Sequence, residues 1–281
     1  MQLKYVCPYW GQEQLSATAF LERVQEVAFD GIEINVPESK TFIKELNYEL
    51  DFLRSEKEFI FIAQQVLPPA SETVDEYISR MIKRLNELIA LRPDFINSHT
   101  GRDHFSFDDN CRIIEASLKV ARQTGVRIVH ETHRGRFSFH ASSLLPYLQR
   151  FPELELAADL SHWCTVSESL LEDQQHILKA IFPYVSHLHA RVGHEQAPQV
   201  SDPFAPEWTK HVKTFINWWQ QIVDCNLSRQ RPQLTICPEF GPRPYMPLLP
   251  FTQQPIGDQW AINARLMNTL KKQLHVRIDQ Q

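Results

Sequence analysis

Apolar and polar positions along the chain fall into two alternating patterns. Short β-branched or aromatic runs, LKYVC (3–7), GIEINV (31–36), FIFIAQQV (59–66) and FINSH (95–99), predict strands in the first half. Between them lie stretches with helical spacing, the clearest placing Val74, Tyr77, Ile78, Met81, Ile82, Leu85, Leu88 and Ile89 at i, i+3, i+4 intervals. The second half keeps the rhythm. RIVHETH, LELAADLSHW, VSHLHAR and LTICPEFGP begin near residues 127, 154, 185 and 233, separated by patterns such as Leu144, Leu145, Leu148 and Leu170, Leu171, Ile177, Leu178, Ile181. Ser16, Ser71 and Asp108 stand where helix N-caps are useful.

Eight strands and eight helices in 281 residues suit a closed (β/α)8 TIM barrel, typically about 250 residues, better than a doubly wound sheet of five or six strands. A crossover helix returns each strand in the same direction, so all carboxyl ends are expected on one face. No break in composition marks a second domain, and the α/β barrel is expected to be a single domain over 1–281.

Four of the strand segments end in side chains that suit a metal: Glu131, Asp159, His189 and Glu239. Three carboxylates and one imidazole are thereby expected where a barrel of this kind builds its active site. Two connections leave from that end and exceed the usual length, GHEQAPQVSDPFAPEW after Arg191–Val192 and GPRPYMPLLPFTQQPIGDQW after Phe240. Both are rich in proline and aromatics, and loops of that kind act as lids or binding walls.

Composition narrows the partners. With 43% hydrophobic residues, 22% charged and a net charge of −5, the chain can bury a large core but has no basic bias of the kind that binds nucleic acid. Five cysteines without CxxC spacing argue against a disulfide framework or a cysteine zinc site. No signal peptide or membrane-length apolar run is evident, so a cytoplasmic protein is expected.

Glu131, then Asp-x-x-His (Asp159 to His162), then His-x-His (His187 to His189), then Glu239 resembles the xylose isomerase-like barrel superfamily. That group includes ketose 3-epimerases, sugar isomerases, inosose dehydratases and abasic-site endonucleases, and the resemblance covers essentially the whole chain. It implies that Glu131, Asp159, His189 and Glu239 hold one divalent cation. Hard oxygens with one imidazole suit six-coordinate manganese first, then magnesium or cobalt, with zinc also open. It further implies that Glu131 and Glu239 are catalytic, moving a proton on either face of a sugar whose cis-enediolate the metal stabilises.

His162 would reach substrate oxygens and shuttle a proton, with Arg191, His99 and Glu33 completing a polar ring and Trp10 and Trp163 supplying apolar walls. Each of these also has a structural reading, as a neighbour's ion-pair partner or as packing. His133, Arg134 and Arg136 read equally well as a solvated basic loop. His187 is expected deeper than His189 on the same face, since i and i+2 alternate together.

The expected function is therefore a divalent-metal-dependent isomerase or epimerase of a sugar or sugar phosphate, in carbohydrate metabolism, with a homo-oligomer possible. A lyase or dehydratase on a keto-sugar or inosose uses the same proton abstraction and is the alternative. A non-catalytic sugar-binding barrel is a further reading. The ketose 3-epimerase pattern has an arginine six residues past the metal histidine, where this chain has Glu195. A three-zinc endonuclease needs more histidines than Gln64, Gln65 and the Asp202–Pro203–Phe204 stretch supply.

Overall fold

A computed structural model describes residues 1–276. The strands are β1 (Gln2–Pro8), β2 (Gly31–Ile34), β3 (Ile60–Gln65), β4 (Phe95–Ser98), β5 (Arg127–Glu131), β6 (Leu156–Ala158), β7 (Val185–Ala190) and β8 (Gln233–Pro238). They close in sequence order into a parallel barrel, β1 pairing β8 with Gln2 opposite Gln233 and Tyr5 opposite Ile236. The helices are α1 (Ala17–Glu26), α2 (Lys40–Glu56), α3 (Val74–Ile89), α4 (Phe107–Thr124), α5 (Ala141–Arg150), α6 (Ser161–Val166), α7 (Gln175–Ile181), α8 (Thr209–Ser228) and α9 (Gln259–Gln273). This is the (β/α)8 architecture that the alternation predicts.

The count departs from eight helices because β6 is followed by two short ones. Between them Glu168 and Leu171 have positive φ, 46° and 53°, which no α-helix accepts. Leu170 and Leu171 accordingly lie outside any helix, although both are buried.

Two of the three expected caps also move. Ser16 does cap α1, accepting from the Ala19 amide. Ser71 gives way to Thr73, which forms a reciprocal capping box with Glu76, and Asp108 gives way to Ser106. At Thr73 the hydroxyl and the Glu76 carboxylate between them satisfy two amides, whereas the Ser106 hydroxyl accepts from the Asp109 amide and donates to its carboxylate.

The described chain forms two compact units, one of Met1–Tyr5, Thr132–Arg134 and the described residues from Phe139 on, the other of Val6–Glu131 and Gly135–Ser138. In the second unit, Tyr77, Met81, Leu85 and Leu88 on one face of α3 are wholly buried, as are Ile32, Phe61, Ile62 and Ile96 on the strands. Each such side chain contributes roughly 1.5–3 kcal/mol. Gly31 is required by packing: a Cβ there would sit 2.2 Å from the Ile60 carbonyl oxygen. In the first unit, α8 buries Phe215, Trp218, Trp219 and Ile222, while Leu156, Leu188 and Ile236 fill the strands. No helix among the described residues is long and apolar enough to cross a membrane.

Candidate functional site

Asp159 follows β6 directly, His189 is the fifth residue of β7, and Glu239 follows β8. All three are buried, at 0%, 1% and 4% exposure. One donor atom from each lies within 4.8 Å of the other two. Buried acids side by side repel, so something must compensate them.

Part of the compensation is Arg191, which donates through Nε to Asp159 Oδ2 at 2.9 Å and through Nη2 to Glu239 Oε2 at 2.6 Å. Burial alone would push the guanidinium pKa down, but Glu239 and Asp159 outweigh it and hold it above the ordinary value. The same Glu239 oxygen lies 2.8 Å from His189 Nδ1.

Asp159 is held at every polar atom that faces its own segment. Its Oδ1 accepts from the Ser161 amide at 3.0 Å and the Ser161 hydroxyl at 2.5 Å. The Thr132 hydroxyl donates to its backbone oxygen and accepts from its backbone amide, at 3.0 and 2.9 Å. Thr132 is the residue after Glu131.

In the first turn of α6, His162 Nε2 stands 3.5 Å from Asp159 Oδ2, with its ring 3.8 Å from that of His133. Tyr245 closes this side. Its ring carries the Arg191 guanidinium at 4.6 Å and that of Arg134 at 5.4 Å, and burial raises its phenol pKa so that it stays neutral.

His187 is buried below His189 on the same strand, its Nδ1 2.7 Å from the Thr235 hydroxyl. That is the depth the alternation predicts. A divalent cation with bonds near 2.1 Å needs donors about 3–4.5 Å apart. Asp159, His189 and Glu239 bring two hard oxygens and an imidazole within 4.8 Å of one another, so the residues present fit such an ion.

The second unit carries its own polar cluster at the ends of β2 to β5. Glu131 Oε2 accepts from Asn97 Nδ2 at 2.9 Å and lies 2.8 Å from His99 Nε2. Glu33 Oε1 accepts from the same Asn97 nitrogen at 2.9 Å and from Gln64 Nε2 at 3.1 Å. One amide thus bridges two buried carboxylates. The Tyr77 hydroxyl supports the His99 carbonyl at 3.2 Å, and the Ser138 hydroxyl donates to the Glu131 carbonyl.

Other expected positions differ in character. Trp10 is half-buried in the turn after β1, whereas Trp163 is wholly enclosed and presents no solvent-facing ring. Glu195, at the position of the epimerase arginine, takes the imidazole of His211 at 3.0 Å. The stretch after Val192 is packed: Gln199 exchanges two hydrogen bonds with the Gly241 backbone, and a Cβ on Gly193 would lie 2.7 Å from Ser161 Cβ. Sequence reasoning passed over Asn97, Thr132, Ser138, Ser161 and Tyr245; for Asn97 the signal was a polar residue inside an otherwise apolar strand run.

No protein family model and no curated protein sequence matches the chain. Solved structures do. The probable 3-DHS dehydratase AsbF of Bacillus anthracis, involved in petrobactin synthesis, is 16% identical with a TM-score of 0.64, over 96% of this chain and 99% of that one. D-psicose 3-epimerase with D-tagatose from Clostridium cellulolyticum H10 is 14% identical with a TM-score of 0.59, over 97% and 99%. A xylose isomerase-like TIM barrel protein from Mycobacterium smegmatis in complex with magnesium is 13% identical with a TM-score of 0.60, over 97% and 98%. At these identities the likeness establishes a shared barrel fold over 96–97% of this chain.

Proposed function

We propose that this chain is a divalent-metal-dependent enzyme that moves a proton on a small carbohydrate, isomerising or epimerising it. The observation that carries the reading is the buried convergence of Asp159, His189 and Glu239; Glu131, which ends the preceding strand, is the proposed fourth donor. Manganese is the first choice of ion, magnesium and cobalt following. The bound cation would supply Lewis acidity to a sugar carbonyl and its neighbouring hydroxyl.

The chain's own residues do the rest. Glu131 is the candidate to take a proton from carbon on one face, and Glu239 to exchange one on the other. Asn97 and His99 fix Glu131 through Oε2, which sets the direction of its carboxylate before substrate arrives. Arg191 joins the Asp159 and Glu239 carboxylates through Nε and Nη2 and offsets their buried charge. His162 is the candidate partner for a substrate hydroxyl.

Elimination is the second reading. Its support is the likeness to a probable dehydratase, and it uses the same proton abstraction followed by loss of a hydroxyl.

The test is a panel of keto-sugars and their phosphates in D₂O with manganese. Wild type should place deuterium on the carbon beside the carbonyl, and Glu131→Gln and Glu239→Gln should each lose several orders of magnitude in turnover. Metal content is measured in both, and in Asp159→Asn, which should lose the ion. Turnover without deuterium in carbon would replace proton transfer with a hydride shift, and full activity in a metal-loaded glutamine variant would remove that glutamate.

A further inference from the structure

Past the ends of β4 and β5 two arginines are buried with little to balance them. Arg102 is 7% exposed and Arg136 is 9% exposed. Arg136 has five N–H donors, yet its hydrogen bond is from Nη1 to the Gly135 carbonyl at 3.4 Å, and its Nε is enclosed with no acceptor. Arg102 Nη2 reaches the Leu67 and Pro68 carbonyls at 3.4 and 3.3 Å, and its guanidinium lies 5.4 Å from the Tyr77 ring centre. Neither forms an ion pair with a carboxylate among the described residues.

Both line one pocket of about 290 Å³, together with Pro69, Glu72, Phe105 and Gly135. The acids at its edge are committed or wet. Glu72 takes Arg80 Nη2 at 2.7 Å, and the Asp103 side chain is 44% exposed beside His104. Burial, then the like charge of Arg102, lowers the Arg136 pKa, and Tyr77, Glu131 and Asp103 offset this only in part.

The loops that present them are built to stay put. Asn110 accepts from the Arg102 amide at 3.1 Å and donates to the carbonyls of Arg102 and Phe105 at 2.9 and 3.2 Å. Gly101 has φ +67°, and a Cβ there would lie 2.2 Å from Asn110 Oδ1. The Phe137 amide ties the Arg136 turn to the Thr100 carbonyl at 3.3 Å.

Two desolvated guanidiniums held rigidly around a cavity cost stability unless an anion completes them, and the guanidinium fork matches phosphate and carboxylate oxygens. We propose that the Arg102–Arg136 pocket is an oxyanion subsite, taking the phosphate monoester or carboxylate of the ligand. Arg136 lies five residues past Glu131 on the turn that Ser138 secures to the Glu131 carbonyl. That the anion belongs to the reacting sugar rests on the function proposed above, so the substrate class becomes a sugar phosphate or a sugar acid. The subsite itself does not depend on that function.

Inorganic phosphate and, separately, acetate are titrated by calorimetry into metal-loaded protein and into Asp159→Asn. Wild type should bind one of them saturably, and Arg136→Gln and Arg102→Gln should each weaken it at least tenfold with melting temperature and metal content kept. Arg136→Lys should retain part of the affinity. Preference for phosphate assigns a phosphate monoester, and preference for acetate a carboxylate. Absence of saturable binding by both ions, or binding that survives both glutamine variants but vanishes in Asp159→Asn, overturns the subsite. If the arginine-dependent binding is found while no sugar exchanges deuterium, the subsite stands and the proton-transfer reading falls.

Discussion

Replacing Arg191 with methionine isolates what its charge does. The side chain is 3% exposed and spans Asp159 and Glu239, themselves 0% and 5% exposed at the side chain. Removing one member of a buried pair costs about 3–5 kcal/mol, because it leaves an uncompensated buried charge. With about 2.1 cal/mol/K of unfolding entropy per residue, a chain of this length loses about 5–8 °C in Tm. Calorimetric melts in chelator should show that loss for Arg191→Met. With saturating manganese the gap should narrow, because the cation supplies the charge that the arginine gave. An equal loss with and without metal would mean that Arg191 acts by packing on Tyr245, and no loss would mean that the arginine's charge does not brace the two carboxylates.

Three further outcomes are expected. Asn110→Ala should cost about 2–3 kcal/mol in urea unfolding, since it strips the partners from backbone groups around Arg102; a loss under half a kilocalorie would mean that water replaces it. Gly31→Ala should lower Tm more than Gly125→Ala, because its Cβ meets the Ile60 carbonyl whereas Gly125, at φ +73°, faces open space; the reverse order would mean that β2 and β3 part easily. Burial holds the Cys7 and Cys164 thiols far above their ordinary pKa, so they stay neutral in the folded protein while the unfolded chain ionises above pH ~8.5. Stability should therefore fall as pH rises past that value, and the slope should flatten in Cys7→Ala/Cys164→Ala; an unchanged slope would assign it to other groups.

Much of the barrel was legible because its strands are largely buried and read as mostly apolar runs. Val129, Ile236 and Leu188 flag their strands, and the polar residue at each end then stands out. Less legible was everything that depends on which neighbour a side chain meets. Glu33 and His99 could be placed at strand ends, but that Asn97 would hold both Glu33 and Glu131 follows from the register of Asn97 with Gln64 and Val129, which no local pattern encodes. Arg191 was readable as a polar residue near His189, not as a brace between two acids from flanking strands. Trp163 reads as an aromatic beside a site residue, while its depth is decided by how α6 packs. The break between α6 and α7 was hidden because Leu170 and Leu171 continue an apolar spacing that the backbone at Glu168 abandons.

The Thr132 hydroxyl, clasping Asp159 by both its amide and its carbonyl, separates holding an ion from aiming the group that holds it. A threonine-to-valine change there keeps shape and volume, touches no donor atom, and yet lets the carboxylate's starting point drift by tenths of an ångström. Preference among ions of similar charge turns on such distances. If the proposed cation site is right, ion choice can thus be inherited, or redesigned, through a residue that binds nothing.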